Sequence, residues 1–339
     1  MCERVDVCEI AGMDEYMNGR DSEELLSRLN RSEAVVKSIY ASEEKIFYEV
    51  EKGGIRSLTK TAIKLLVCLN DGIFNEQEVD KYIQKNIYLN IFRLAINKYI
   101  TSIENDTVRT IDNEVKRLNN IVTDIRVMLT KRQIDKFEKK VLKAKYSRSG
   151  SMRLYIRSFI RQHSKLEVLR VDMLYRKGKF TFSDDFESDR QAVLKDWRAM
   201  RDDLRSGKPI PGLIGYSARL EYGALSGFHF HTLLFFKGSE HREDIVMAKL
   251  IGEHWSRVIT KNEGRYYNCN RHKNEYKYPA IGMIHYREKE KIKALESVVV
   301  NYLAKPDYVL ESLEKPKRVL FQGVQSPITI KRGPQRKYE

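Results

Sequence analysis

Hydrophobic positions divide the chain into two kinds of pattern. Up to about residue 146 they recur at helical spacing, which predicts helices over about 21–51, 57–70 (with Ser57 as cap) and 76–103. A fourth series, Val108, Ile111, Val115, Leu118, Val122, Ile125 and Leu129, steps by three and four residues over three heptads. That spacing suits either a coiled coil or a helix packed inside its own bundle. Beyond residue 151, short apolar runs bounded by glycines take over and predict strands. The expected fold class is therefore α+β. A helical domain (1–146) is followed by a polar, flexible join (147–151), a sheet domain with flanking helices (152–314) and a basic tail (315–339).

The most informative run is Gly227–Phe236, GFHFHTLLFF. Its β-rich composition predicts a strand buried on both faces, and the period of two sends His229 and His231 to the same face. Two neutral imidazoles so placed make a ready divalent-metal pair; the alternative is a core strand whose histidines hydrogen-bond to neighbours. Leu213–Tyr222 predicts a second strand, joined to the first by the glycine-bracketed turn Gly223–Gly227. If the hairpin is symmetric about Leu225, Glu221 lies directly opposite His229 on the same side of the sheet. A slip of one residue would send it to the other face. A glutamate with two histidines leaves coordination positions open, which suits a catalytic metal.

Apolar residues at 292, 295, 299 and 303 predict a helix over Lys291–Ala304, ended by Pro306. Tyr302 and Lys305 stand three apart near its end. A cation beside a tyrosine favours the phenolate, so Tyr302 is a candidate nucleophile with Lys305 as its partner. Val298 stands one turn earlier, so the helix presents a single candidate tyrosine. Val168–Tyr175 predicts the first strand of the sheet domain. Its Asp172 either supports the metal or a histidine from behind, or closes a strand-end salt bridge.

Charge narrows the choice of partner. The net formal charge of +15 is unevenly placed: residues 1–150 hold 26 basic and 24 acidic side chains, the remainder 36 and 23. So basic a second half attracts phosphate backbones without regard to sequence. Within it, Tyr266, Tyr267, Tyr276 and Tyr278 alternate with Arg271, Lys273 and Lys277. This is either a platform for unstacked bases, with Tyr266, Tyr267, Arg271, Lys273 and Lys277 as candidate DNA contacts, or a hairpin whose tyrosines pack at its margin. Four cysteines make no disulfide framework, and Cys269 with His272 lacks a partner pair for zinc. No apolar run reaches the 18 residues a membrane span needs, and the acidic N-terminus is unlike a signal peptide. A reduced cytoplasm and no membrane partner are expected.

Taken in order, the His-hydrophobic-His strand, the nearby glutamate and the Tyr-x-x-Lys helix resemble the HUH endonuclease superfamily. More narrowly, the second half is similar to inovirus-type replication initiators that share the YagK/YfjJ C-terminal domain. That likeness runs through Leu169–Asp172, Ile214–Tyr216, Leu220–Gly223, Gly252–Trp255, Gly264–Asn270 and Ile281–Ile284 to Tyr302–Lys305. It implies an HUH-type antiparallel sheet domain and a rolling-circle initiator that nicks single-stranded DNA. By that resemblance His229, His231 and Glu221 hold Mg2+ or Mn2+. Tyr302 forms a 5′-phosphotyrosine link and leaves a free 3′-hydroxyl, while Lys305 either lowers the tyrosine's pKa or neutralises phosphate charge. The implied partners are single-stranded or hairpin origin DNA, a host replication helicase and a second copy of the chain, in a bacterium carrying a filamentous phage. A relaxase or transposase would use the same chemistry on another element, and a catalytically inactive DNA-binding regulator would keep the fold alone. Residues 1–146 fall outside the resemblance.

Overall fold

The computed structural model describes residues 20–323, apart from 44, 51–53, 58, 73–79, 105–109, 130, 177–178, 181–184, 225, 279 and 313–317. The architecture is α+β, as the patterning predicts. The first part comprises α1 (Arg20–Ala41), a hairpin of β1 (Phe47–Val50) and β2 (Gly54–Ser57), α2 (Lys60–Asn70), α3 (Asp80–Lys85), α4 (Ile87–Glu104) and α5 (Ile111–Met128). The helix expected over 21–51 thus stops at Ala41, because Phe47–Val50 pairs back onto Gly54–Ser57. Thr59, rather than Ser57, caps α2 by accepting from the Ala62 N–H at 3.1 Å. The pattern over 76–103 breaks at Asn86, whose Oδ1 accepts from the N–H groups of Tyr88 and Leu89 and so starts α4. Val115, Leu118, Val122, Ile125 and Leu129 pack with Val36, Leu65 and Phe92, so the heptad spacing serves an internal bundle. Val108 of that series lies outside the described residues.

Helix α6 (Lys131–Gln162) runs unbroken through Ser147–Ser151. The join expected there is therefore a correction: serine and glycine are poor helix formers, but packing overrides propensity. Arg148 and Ser149 are buried, and Met152, Tyr155, Ile156 and Phe159 of the next turns sit in the core beneath the sheet.

The sheet domain follows as β3 (Lys165–Tyr175), α7 (Phe186–Arg205), β4 (Leu213–Gly223), β5 (Gly227–Lys237), α8 (Asp244–His254), β6 (Gly264–Asn268) and β7 (Gly282–His285). Helix α9 then joins Lys289–Ala294 to Val300–Leu303 through a π-helical turn, Leu295–Val299. Finally come α10 (Tyr308–Ser312) and β8 (Leu320–Gln322). All pairings in this sheet are antiparallel, in the order β6-β3-β5-β4-β8, with β7 on the other half of β3's outer edge. Strand β8 falls in the stretch read from sequence as tail. Phe321 packs into the core of one face and Leu320 into that of the other, so the sheet claims this segment. Residues 324–339, the rest of that expected tail, lie outside the described residues.

Helices cover both faces of the sheet. On one, Leu169, Val171, Met173, Phe228, Phe230 and Leu220 meet Trp197 and Met200 of α7 and Ala248 and Ile251 of α8. On the other, Leu166, Val168, Leu233 and Phe235 meet α6 and the buried side of α9. This double burial explains the near-continuous apolar character of β3 and β5. Among the described residues no helix is long and apolar enough to cross a membrane.

Candidate metal centre

The second face is apolar only at one end. At the other, each of three adjacent strands contributes two polar side chains at i and i+2: Arg170 and Asp172 from β3, His229 and His231 from β5, Arg219 and Glu221 from β4. All six are buried. The β4–β5 hairpin has the symmetric register, with Glu221 paired to His229 and Gly223 to Gly227. Gly227 holds this turn at φ +60°, where a Cβ would lie 2.6 Å from the Phe180 carbonyl oxygen, so glycine is required there. One row further in, Arg219, His231, Asp172 and Tyr267 stand as successive cross-strand partners on four strands.

The two imidazole rings lie 4.9 Å apart and nearly perpendicular. His229 Nδ1 is 3.0 Å from the Gly227 carbonyl, which can only accept, so this nitrogen carries the proton and Nε2 keeps its lone pair. His231 Nδ1 is 2.9 Å from Asp172 Oδ1, within ion-pair distance. Its Nε2 faces Glu221 Oε2 at 3.5 Å. Ligand atoms of Glu221, His229 and His231 all lie within 4.8 Å of one another, so this buried group can hold a metal ion. The Asp172 carboxylate also has Arg170 at 3.5 Å.

Electrostatics keep the site charged. Burial opposes ionisation of Asp172, yet His231 and Arg170 outweigh it and bring its pKa down to about 2. Burial likewise opposes charge on Glu221, but Lys305, His231 and Arg219 hold it well below the usual carboxylate range. Against its own burial, His231 is held well above the ordinary histidine value by Asp172, Tyr302 and Glu221. The carboxylates that favour a proton there also favour a divalent cation in its place.

Tyr302 closes the site from α9. Its ring lies 5.4 Å from that of His231, and its buried hydroxyl has no hydrogen-bond partner among protein atoms. Lys305 Nζ sits 4.4 Å from the ring centroid and 3.2 Å from Glu221 Oε2, linking the tyrosine to a ligand residue. The expected continuous helix differs in one respect: the π-helical turn just before Val300 widens the register that brings Val300, Tyr302 and Leu303 inward.

A buried ion network braces this end of the chain. Arg219, fully buried, lies 3.9 Å from Glu221 and 3.8 Å from Glu311, and donates to the Lys305 carbonyl at 3.3 Å. Arg148 of α6 donates to Glu311 at 2.7 Å and to the Ala304 carbonyl at 3.2 Å. Arg170 and Arg219 were missed by sequence reasoning. The signal was present, since each stands two residues before an acid on the same strand face, as Arg-x-Asp and Arg-x-Glu.

The candidate DNA contacts separate. Tyr267 faces the site beside Asp172 and stacks on His272 with ring centroids 5.2 Å apart. Its neighbour Tyr266 points to the opposite face and packs over Gly252 of α8, so the structure does not bring it to the site. Lys273 is held by Asp244 at 2.6 Å. Lys277 lies 5.8 Å from the Tyr278 ring, and Arg271 is exposed. Cys269 is fully buried, and burial with Asp172 beside it pushes its thiol well up. His272 stacks on Tyr267, and its Nδ1 lies 3.0 Å from Glu275 Oε1.

The family model for the YagK/YfjJ C-terminal domain matches residues 127–318. The chain belongs to this family. The YagK/YfjJ domain here begins near the end of α5 and takes in all of α6, well before the boundary at 152 expected from sequence. That earlier start fits the packing, since α6 forms part of the core beneath the sheet. No curated protein and no solved structure matches the chain.

Proposed function

We propose that this YagK/YfjJ protein is an HUH-type, one-tyrosine nickase of the inovirus replication-initiator kind, acting on single-stranded DNA. The observation that carries this reading is the contact between the Tyr302 ring and His231, one of three converging ligand residues. Glu221, His229 and His231 would hold Mg2+ or Mn2+, and two nitrogens with one oxygen suit Mn2+ the better. A divalent ion there would act as a Lewis acid on the scissile phosphodiester and stabilise the leaving oxygen.

The chain's own residues supply the rest. The Tyr302 oxygen bonds to phosphorus as the bond to the 3′-oxygen breaks; the phenol loses a proton and the 3′-oxygen gains one. One phosphodiester replaces another, so neither water nor ATP is consumed and the strand can be rejoined in reverse. Lys305 places positive charge over the phenol while gripping Glu221. Asp172 fixes the orientation of His231. The strand's phosphates would have basic surface to follow, since Lys136, Lys139, Lys140, Lys143 and Arg161 of α6 are exposed.

The test mixes the protein with Mn2+ and single-stranded DNA tiled across its own genetic element. A DNA-linked band on a denaturing gel, abolished by Tyr302→Phe and by chelator, is expected. Tight binding with no adduct on any tile would sink the nuclease reading in favour of a DNA-binding regulator.

A further inference from the structure

We infer that Arg170 grips the phosphodiester undergoing attack, forming an oxyanion site with Tyr302 and Lys305 on the sheet side of the metal centre. The inference rests on the proposed reading for the identity of the nucleophile. Arg170 is only 4 % exposed. A guanidinium so deeply buried is costly unless its N–H groups are matched. Its neighbours on the same network are matched only in part: Arg148 bonds Glu311 and the Ala304 carbonyl and Arg219 bonds the Lys305 carbonyl, while Arg148 Nε and Arg219 Nε and Nη1 make no hydrogen bond to a protein atom. Arg170 Nε and Nη2 likewise make no hydrogen bond to any protein atom, and of the three guanidiniums this is the one laid over the Tyr302 ring. Asp172 Oδ2 stands 3.5 Å away, beyond good hydrogen-bond length, and the other oxygen of that carboxylate lies 2.9 Å from His231 Nδ1.

The guanidinium is instead laid against the candidate nucleophile. Its Cζ lies 4.4 Å from the Tyr302 ring centroid, equal to the distance from Lys305 Nζ. The Tyr302 hydroxyl is itself buried and unpartnered. Two unpaired planar donors, a second cation and an unpaired hydroxyl therefore meet around one ring. A tetrahedral phosphate diester satisfies this set, because guanidinium N–H pairs match two phosphoryl oxygens. As the tyrosine oxygen bonds to phosphorus, charge grows on those oxygens, and a fixed buried cation stabilises it.

Two measurements on the full chain test this. First, thermal unfolding is followed with inorganic phosphate against chloride at equal ionic strength. Wild type should gain Tm with phosphate, Arg170→Gln should not, and Arg170→Lys should gain in part. Second, single-turnover adduct formation with DNA and Mn2+ should fall about 10²–10³-fold in Arg170→Gln and about tenfold in Arg170→Lys. Mn2+ affinity should stay within about threefold, a readout that a merely structural role would move. Should Arg170→Gln fail to fold, Arg170→Lys decides, since a packing role predicts wild-type rates for it. Wild-type rates and phosphate response in the variants would overturn the inference. Phosphate binding that depends on Arg170 in a protein forming no adduct would uphold the oxyanion site and defeat the nickase instead.

Discussion

Glu167 and Asp172 stand five residues apart on the same strand, both almost wholly buried, and their acidities move in opposite directions. Glu167 faces the apolar layer under α7 and α8. Burial, then the nearby Asp244, lifts its pKa to about 7, and neither of its oxygens has a hydrogen-bond partner. Asp172 faces the other layer, where His231 and Arg170 bring it down to about 2. Desolvation alone pushes both upward, so the difference is made entirely by the partners each face supplies. One face of the sheet is built to hold the domain together. The other gives up part of that role to hold six buried polar groups in line, Asp172, Glu221 and His231 charged among them.

The contrast can be broken most sharply at Tyr302. Tyr302→Phe should lower adduct formation by at least about 10³-fold, while stability measured by urea unfolding shifts by less than about 1 kcal/mol. The hydroxyl has no partner to lose, so a large destabilisation would show that the tyrosine is structural instead. Next in size is Arg148→Ala, which leaves Glu311 buried beside Arg219 alone. A loss of about 3–5 kcal/mol is expected by the same measurement, and a change below about 1 kcal/mol would mean the network is not a brace. Asp172→Asn should weaken Mn2+ binding about 10–100-fold by calorimetry, and an unchanged affinity would separate Asp172 from the metal centre.

The gentlest probe changes pH alone. Glu167's folded pKa lies above its ordinary 4.5, so its contribution to stability is full below about 4.5 and is lost as pH rises through about 7. Asp172 has the reverse sign: its contribution is present above about 3.8 and is lost as pH falls through about 2. Glu167→Gln should flatten the unfolding free energy between about pH 4.5 and 7. A slope that survives the substitution would assign it to another group.

Much of the site was legible because strand geometry is strict. Glycines at 223 and 227 fixed the centre of the hairpin, and the period of two then set Glu221 against His229. The same rule would have split the Tyr266–Tyr267 pair between faces, although composition suggested a common platform. Arg170 and Arg219 escaped notice because a basic residue in a strand ordinarily signals exposure, and only tertiary packing reveals a buried guanidinium. The supposed join at 147–151 was misread for a related reason. Small polar residues look like loop, whereas here the buried neighbours Arg148, Ser149 and Met152 tie the helix into the core. Strand β8 is three residues long, too short for any periodic signal, and exists because β4 offers it an edge.

Helix α6 has a mechanical consequence. At 32 residues it is about 48 Å long. Ile134 near its start is rooted in the core of the helical bundle, while Phe159 near its end is rooted beneath the sheet. With Arg148 bolted to the Ala304 carbonyl midway, the rod cannot act as a hinge between the two cores. It behaves as a strut of fixed length and angle. Anything bound by the bundle would thereby sit at a constant offset from Tyr302.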